Sequence, residues 1–228
     1  ALGFDSVEAL KATRYEGAFD SWSDADGTPY AYHWEISWLI VYCNDNHLNA
    51  GGVDPDSVSL VTWDDFIALG KQVVAGNESF YKDSSGNWTH NFMKLPMFMD
   101  DTWSMQVLTA FLAQSGGSVL NEDQSASEIN SAASVAAVNK MMEITQELGD
   151  ANVGPTTPGE LFGEFGAENQ TCALAGPWMH EAFMKATGSP ILNAYRNYGM
   201  PRITADKPGN VFWGWAWAVS SESKNKEE

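Results

Sequence analysis

Segments of strand-like composition alternate with segments of helical periodicity along most of the chain, and this alternation restricts the fold more than any other feature. The order predicts an α/β architecture with a largely parallel sheet. Within the first strand-rich segment we expect a break near Glu35. The strands are predicted at residues 30–42, 94–99, 171–175, 198–201 and 211–220. The helices are predicted at residues 5–15, from 62 onward, 101–114, 131–148 and 178–186, with a short helix or turn at residues 161–167.

The helix that begins after residue 62 carries the clearest start signal. Thr62 can cap it, and Asp65 follows three residues later, which is close to the pattern of a capping box. Phe66, Leu69 and Val73 recur at helical spacing, so we expect them to form the buried face of this helix.

Charge excludes one class of partner. The chain carries 30 acidic and 12 basic residues, a formal net charge of −18. Such a surface repels polyanions, so we expect no binding to nucleic acid. No run of about 18 apolar residues is present, so no membrane-spanning helix is predicted.

Metal and disulfide chemistry have weak signals. Cys43 and Cys172 each lie in an apolar run, which favours buried, reduced cysteines; a single disulfide stays open because spacing cannot decide it. Residues 24–27 lack the later ligands of a calcium loop and are expected to form a turn. The four histidines are scattered, so no metal site and no cofactor are predicted: His33, His47, His90 and His180.

Ten tryptophans are present, and several lie beside carboxylates. Indole faces stack on the C–H faces of sugar rings, while neighbouring carboxylates and amides bind hydroxyls. The pairs Trp34/Glu35 and Asp101/Trp103 fit this description.

Tryptophans inside strands are more often core residues than ligand contacts. Trp213, Trp215 and Trp217 share one face of a strand by the period-two rule, and we expect at least one of them to be buried core. Trp103 and Trp178 are better candidates for ligand contacts, since each lies where a predicted strand meets a helix.

A catalytic alternative rests on carboxylates alone. A glycosidase needs two carboxylates about 5–10 Å apart, and Glu35, Asp101 and Glu181 are available. No Gly-x-Ser-x-Gly elbow, phosphate loop or zinc-binding helix is present. We therefore assign no catalytic residue and expect that the protein is not an enzyme.

Four ordered segments together resemble family 1 extracellular solute-binding proteins, the group that includes maltose-binding protein. The chain departs from the family pattern at Cys43, where a tyrosine is usual, and at Trp213, where a glycine is common. The segments are residues 26–30 with 39–44, residues 50–51 with 62–66, residues 173–178, and residues 214–220 with 223–227.

The resemblance implies a periplasmic-binding-protein-like α/β fold of two lobes joined by a hinge. Residues 1–36 and 203–228 would belong to the first lobe, and residues 37–202 would form the second. Family members are longer than this chain, so we expect it to be truncated at both ends, with the second lobe nearly complete and the first only partly present.

The resemblance also implies ligand contacts. Trp178 matches the family tryptophan that stacks on sugar, and Trp215 matches a frequent aromatic residue of the cleft. Asp101 and Trp103 fall in a loop that supplies a polar and aromatic contact. Further candidates for contacts are Glu35, Trp34, Trp213 and Tyr30.

The function implied is that of the substrate-binding component of an ABC transporter, which binds a mono- or oligosaccharide between its lobes. Its partners would be the sugar and the membrane permease subunits. The protein would act as a monomer, extracellular or periplasmic, either free or as a lipoprotein anchored to the cell surface. The alternatives are a glycan-active enzyme that uses Glu35 and Asp101, and an adhesive surface domain without a role in transport.

Overall fold

The computed structural model describes residues 3–14, 17–95, 102–181 and 191–225. The chain divides into two compact units: Ala1–Ser37 with Phe212–Glu228, and Trp38–Val211. The helices are α1 (Val7–Lys11), α2 (Asp45–Ala50), α3 (Trp63–Gly76), α4 (Glu78–Tyr81), α5 (Thr102–Ser115), α6 (Ala132–Leu148) and α7 (Pro158–Gly166), and the strands are β1 (Tyr32–Trp38), β2 (Ile40–Asn44), β3 (Cys172–Ala175), β4 (Tyr195–Gly199) and β5 (Phe212–Trp217).

The first unit is built on the pairing of β1 with β5. Gly214 of β5 is required there, because a Cβ at this position would lie 1.9 Å from the Glu35 carbonyl oxygen and 2.5 Å from the His33 ring. The predicted turn at residues 24–27 is confirmed: the Asp24 carboxylate accepts from the backbone N–H groups of Asp26 and Thr28.

The second unit contains a three-stranded sheet in the order β3-β2-β4. Both pairings are antiparallel, so the prediction of a largely parallel sheet is wrong for this sheet. Alternation of helices and strands predicts parallel pairing only when each helix is a crossover between neighbouring strands. Here β2 and β3 are neighbours although α2 to α7 lie between them in sequence.

The helices of the second unit pack around one core. Helix α6 packs against α5 and α3. The predicted start of α3 is confirmed by a complete capping box between Thr62 and Asp65, and the predicted buried face is confirmed at Phe66, Leu69 and Val73. Buried Gln114 of α5 accepts from the Trp63 indole N–H at 3.1 Å.

The break between β1 and β2 lies at Leu39 rather than near Glu35. The backbone N–H of Leu39 donates to Oδ1 of Asn210 at 3.0 Å, and Nδ2 of Asn210 donates to the Leu39 carbonyl at 2.8 Å. A side chain 171 residues away thus supplies the hydrogen bonds that a strand neighbour would otherwise make.

The two cysteines form a disulfide, so the expectation of reduced thiols is wrong. Cys43 lies directly opposite Cys172 in the β2-β3 register, and both are fully buried. They are separated by 129 residues in sequence, so only the strand register brings them together.

Of the remaining predictions, the helix at residues 131–148 agrees with an observed element and the strand at residues 94–99 does not over the residues described. Helix α6 begins after the cap residue Ser131 and ends before Gly149, as predicted. In the predicted strand 94–99, Lys94 and Leu95 lie in no strand, and residues 96–99 lie outside the described residues. In the predicted helix 178–186, residues 179–181 are helical, and residues 182–186 lie outside the described residues. No helix among the described residues is both long and apolar enough to cross a membrane.

Candidate functional site

The indole of Trp178 is fixed by the turn that follows β3. The chain leaves β3 through Gly176 and Pro177, and the half-buried Trp178 ring folds back over Gly176. A Cβ at Gly176 would lie only 1.6 Å from a carbon of this ring. The Gly176 carbonyl in turn accepts a hydrogen bond of 3.0 Å from the Tyr42 hydroxyl. The absence of a side chain at Gly176 therefore determines where the indole lies.

Trp103 supports this indole from the side. The two rings meet edge to face, with centroids 5.3 Å apart and an interplanar angle of 84°. Phe162 of α7 makes a similar contact with Trp103 at 6.1 Å. Because Trp103 is only 7% exposed, it forms a wall behind Trp178 rather than a second open ring face.

One face of the β3-β2-β4 sheet continues this aromatic cluster. It carries Tyr42, Ala173, Ala175, Tyr195 and Asn197, and is called the tyrosine face below; in the register Tyr42 lies opposite Ala173 and Asn197. Both alanines are fully buried.

Tyr195 is held on the tyrosine face by two aromatic neighbours. Its ring lies 5.8 Å from that of Tyr42 and 6.4 Å from that of Phe165. Burial raises the pKa of the Tyr195 hydroxyl, so this group stays protonated at neutral pH. The hydroxyl makes a hydrogen bond with Nδ1 of His180, which follows Trp178 by two residues.

The sequence did not single out His180, Tyr195 or Asn197 as ligand contacts. His180 and Asn197 are both exposed; His180 contacts Tyr195 of the tyrosine face, and Asn197 is carried by the same face. Their signal is weak in sequence, because it depends on the chain reversal at residues 176–181 and on the sheet register. The one sequence feature that could have pointed to them is the position of His180, two residues after Trp178.

Five predicted contacts lie in the first unit. Trp34 and Trp217 stack at 6.1 Å, and Trp215 is 67% exposed. None of Trp213, Trp215 and Trp217 is fully buried, so the expectation of a core residue among them is wrong. Trp213 is half-buried, whereas Trp215 and Trp217 are exposed.

The other candidates of this unit have polar partners. The Glu35 carboxylate accepts from the Ser37 hydroxyl at 2.8 Å. The Tyr30 ring is exposed, and its hydroxyl donates to the Ser21 carbonyl at 3.1 Å. Trp213 lines a cavity of about 350 Å³ together with Trp22 and His33.

Asp101 lies outside the described residues. Among the residues that are described, no group of three or more His, Cys, Asp or Glu side chains could hold a metal ion. Glu181 is exposed and belongs to the second unit, whereas Glu35 belongs to the first.

The sequence model of the family described as bacterial extracellular solute-binding protein matches residues 6–228. The chain belongs to this family. This confirms the resemblance seen in the four ordered segments. No curated protein matches the chain in sequence.

Solved structures of solute-binding proteins share the fold. An ABC transporter solute-binding protein from Thermotoga lettingae TMO, bound with α-D-tagatose, is 19% identical and has a TM-score of 0.70, over 96% of this chain and 54% of that one. An ABC substrate-binding protein from Listeria monocytogenes in complex with cycloalternan is 21% identical and has a TM-score of 0.69, over 94% of this chain and 49% of that one. Maltose-bound MalE3 of T. maritima is 16% identical and has a TM-score of 0.68, over 93% of this chain and 50% of that one.

The chain therefore spans about half the length of these structures. The predicted fold class is confirmed: an α/β fold of the periplasmic-binding-protein type that is only partly present in this chain.

Proposed function

We propose that this chain is part of the substrate-binding component of an ABC transporter and that its ligand is a mono- or oligosaccharide. Membership of the solute-binding family supports the transport role. The structures with similar folds were solved with tagatose, cycloalternan and maltose, which supports a carbohydrate ligand.

The observation that carries the proposal is the fixed indole of Trp178. Its ring is set by Gly176 and supported by Trp103. The exposed polar side chains of His180 and Asn197 lie on the tyrosine face, where His180 contacts Tyr195 and Asn197 is opposite Tyr42. A rigid indole with polar neighbours suits a sugar, whose ring has apolar C–H faces and hydroxyls around its rim.

We assign the contacts unit by unit. In the second unit Trp178 stacks on the sugar, Trp103 supports it, and Asp101 supplies a polar contact. In the first unit the candidates are Trp34, Glu35, Trp213, Trp215 and Tyr30. Residues 1–36 and 203–228 form part of one lobe of the receptor in this proposal, and residues 37–202 form the other; the two compact units support this division except that Ser37 belongs to the first unit and residues 203–211 belong to the second.

Titration with a ligand panel tests the proposal. Intrinsic tryptophan fluorescence and calorimetry are followed while maltose, D-tagatose and cycloalternan are added, with leucine and calcium chloride as controls. We expect at least one sugar to bind, and Trp178→Ala to weaken that binding at least tenfold, or about 1.4 kcal/mol. Trp88→Ala is the matched control, since Trp88 lies in a loop after α4 and pairs with Lys82 instead. Binding of leucine or calcium without any response to sugars would refute the carbohydrate assignment.

The enzyme alternative has less support. The family and the similar structures consist of binding proteins. We propose that Glu35 contacts ligand without catalysing a reaction. Release of reducing ends from maltose or chitin oligosaccharides, lost in Glu35→Gln, would favour the enzyme instead.

The family description supports an extracellular or periplasmic location. We propose that the protein works as a monomer, with a carbohydrate and the permease subunits as its partners and no nucleic acid. We also propose that a lipid anchor attaches the protein to the cell surface. Fractionation of cells grown with and without globomycin tests this attachment.

A further inference from the structure

His180 lies two residues after Trp178 and contacts the tyrosine face. The chain reverses after β3, with the N–H of Met179 donating to the Gly176 carbonyl at 3.1 Å and the N–H of Glu181 donating to the Trp178 carbonyl at 3.1 Å. This helical turn brings His180 over the tyrosine face, where its Nδ1 meets the Tyr195 hydroxyl.

The phenol of Tyr195 is a fixed partner for this imidazole. Tyr42 and Phe165 pack against its ring from two sides, and residue 195 lies at the start of β4, opposite Asn44. A hydroxyl on a packed ring has little freedom to move, whereas the exposed His180 ring could otherwise rotate about its χ angles. The contact therefore fixes both the position and the orientation of the imidazole.

The direction of this hydrogen bond and the imidazole tautomer are linked. A neutral imidazole has one N–H donor and one bare nitrogen acceptor. With the Tyr195 hydroxyl as donor and Nδ1 as acceptor, the ring proton of His180 lies on Nε2. In that arrangement the exposed imidazole presents an N–H donor on the side away from Tyr195.

Asn197 adds a second polar group on this face. It lies two residues after Tyr195 on β4, so both side chains point to the same side of the sheet, and it is exposed. Its amide offers two N–H donors and a carbonyl acceptor.

We propose that His180 is a specificity-determining ligand contact, that Tyr195 is the positioning residue which holds its Nε2–H outward, and that the group recognised is an uncharged oxygen acceptor, a hydroxyl or ring oxygen of a sugar. This inference rests on the proposed carbohydrate function and deepens it. Asn197 supplies a neighbouring contact to the same ligand.

A pair of substitutions separates the two nitrogens of His180. Glutamine carries a polar N–H near the position of Nε2, and asparagine carries one near Nδ1. We expect His180→Gln to bind maltose or D-tagatose within about threefold of the unaltered protein, and His180→Asn to lose at least tenfold, by calorimetry at pH 7.5. The same loss in both variants, or none in either, would overturn the assignment of Nε2 as the contact.

The positioning role has its own readout. Long-range ¹H–¹⁵N spectra of the imidazole are expected to show the Nε2–H tautomer of His180 in the unaltered protein, and a mixture of tautomers in Tyr195→Phe. Tyr195→Phe keeps the packed ring and is expected to weaken sugar binding by three- to tenfold. An Nδ1–H tautomer in the unaltered protein, or an unchanged tautomer in Tyr195→Phe, would overturn the positioning role.

Failure of the proposed function is distinguishable from failure of this inference. If the unaltered protein binds leucine or calcium and none of the sugars, the carbohydrate function is refuted, and the contact role of His180 falls with it whichever tautomer is seen. If the unaltered protein binds a sugar and His180→Gln and His180→Asn behave alike, only the inference is refuted.

Discussion

At the scale of single residues, Gly176 has no side chain, and the indole of Trp178 occupies the space where one would lie. A methyl group at this position would overlap the ring, at 1.6 to 2.3 Å from three of its carbons. Substitution to alanine must therefore displace the indole. The backbone of Gly176 does not have a positive φ, so the effect comes from the ring and not from backbone strain.

We expect Gly176→Ala to weaken sugar binding at least tenfold in a calorimetric titration, with a change in the near-ultraviolet circular dichroism of tryptophan. The matched control is Gly163→Ala in α7, where a Cβ would meet nothing within 4 Å. That change is expected to stabilise the protein by about 0.5–1 kcal/mol through helix propensity and to leave binding unchanged. Equal affinity of Gly176→Ala and the unaltered protein would contradict the assignment of Trp178.

His47 gives a second residue-level prediction, on pH. Its imidazole is buried in the second unit, its Nδ1 makes a hydrogen bond of 2.9 Å with the Thr171 hydroxyl, and its ring packs on Phe80. Burial lowers the pKa of this imidazole in spite of the nearby Glu168 carboxylate. The unfolded chain therefore binds a proton at a higher pH than the folded chain does.

The free energy of unfolding should consequently fall as the pH drops below about 6.5, by at most about 1.4 kcal/mol per pH unit for this one proton. Urea unfolding between pH 8 and pH 5 measures the slope. In His47→Asn, which keeps a polar atom near Nδ1 but does not titrate, this part of the slope should disappear. Identical slopes in the two proteins would show that His47 is not responsible.

At the scale of elements, neighbouring residues determine where the helices begin and end, whereas contacts between distant residues determine the strand order of the sheet. The cap at Thr62 and the glycine after α6 are read from a few neighbouring residues, and both helices begin or end as predicted. The break at Leu39 depends on Asn210, and the antiparallel order depends on which distant strand pairs with β2. No nearby residue encodes either of these.

The candidate site divides in the same way. Trp178 follows an apolar strand and a Gly-Pro turn, so the sequence alone pointed to it, and its contact with sugar stays a prediction. The partnership of His180 with Tyr195 requires the reversal after β3 and the start of β4 to meet in space. Such a pair has no signature at any fixed spacing.

The disulfide between β2 and β3 gives the element-scale prediction. It joins Cys43 of the strand that carries Tyr42 to Cys172 of the strand that leads to Trp178. Closing so long a loop restricts the unfolded chain, and removing a native disulfide typically costs about 2–5 kcal/mol. We expect the double variant Cys43→Ala, Cys172→Ala to lower the free energy of urea unfolding by that amount.

Because both sulfurs are fully buried, reduction of the native protein by dithiothreitol should be slow and should speed up in urea concentrations that begin to unfold it. Thiol labelling with and without urea measures this. Rapid labelling without urea, or a double variant as stable as the unaltered protein, would contradict a structural role for the bond.

At the scale of the whole molecule, the two units differ in how much they bury. In the first unit the buried residues that the structure describes are few and mostly small, while Trp34, Phe212, Trp215 and Trp217 are exposed. The second unit contains the disulfide and most of the large buried side chains, such as Trp63, Tyr81 and Phe111. Stability rises with the apolar area removed from water, so the first unit should be the weaker of the two.

Hydrogen exchange detected by mass spectrometry tests this difference. We expect the amides of β1 and β5 to open with a free energy at least about 2 kcal/mol lower than the amides of β2 and β3. Reduction of the Cys43–Cys172 disulfide should then lower the protection of β2 and β3 and leave β1 and β5 unchanged, because the bond lies within the second unit. Equal protection of all four strands, or a loss of protection in β1 and β5 on reduction, would mean that the two units unfold as one cooperative body.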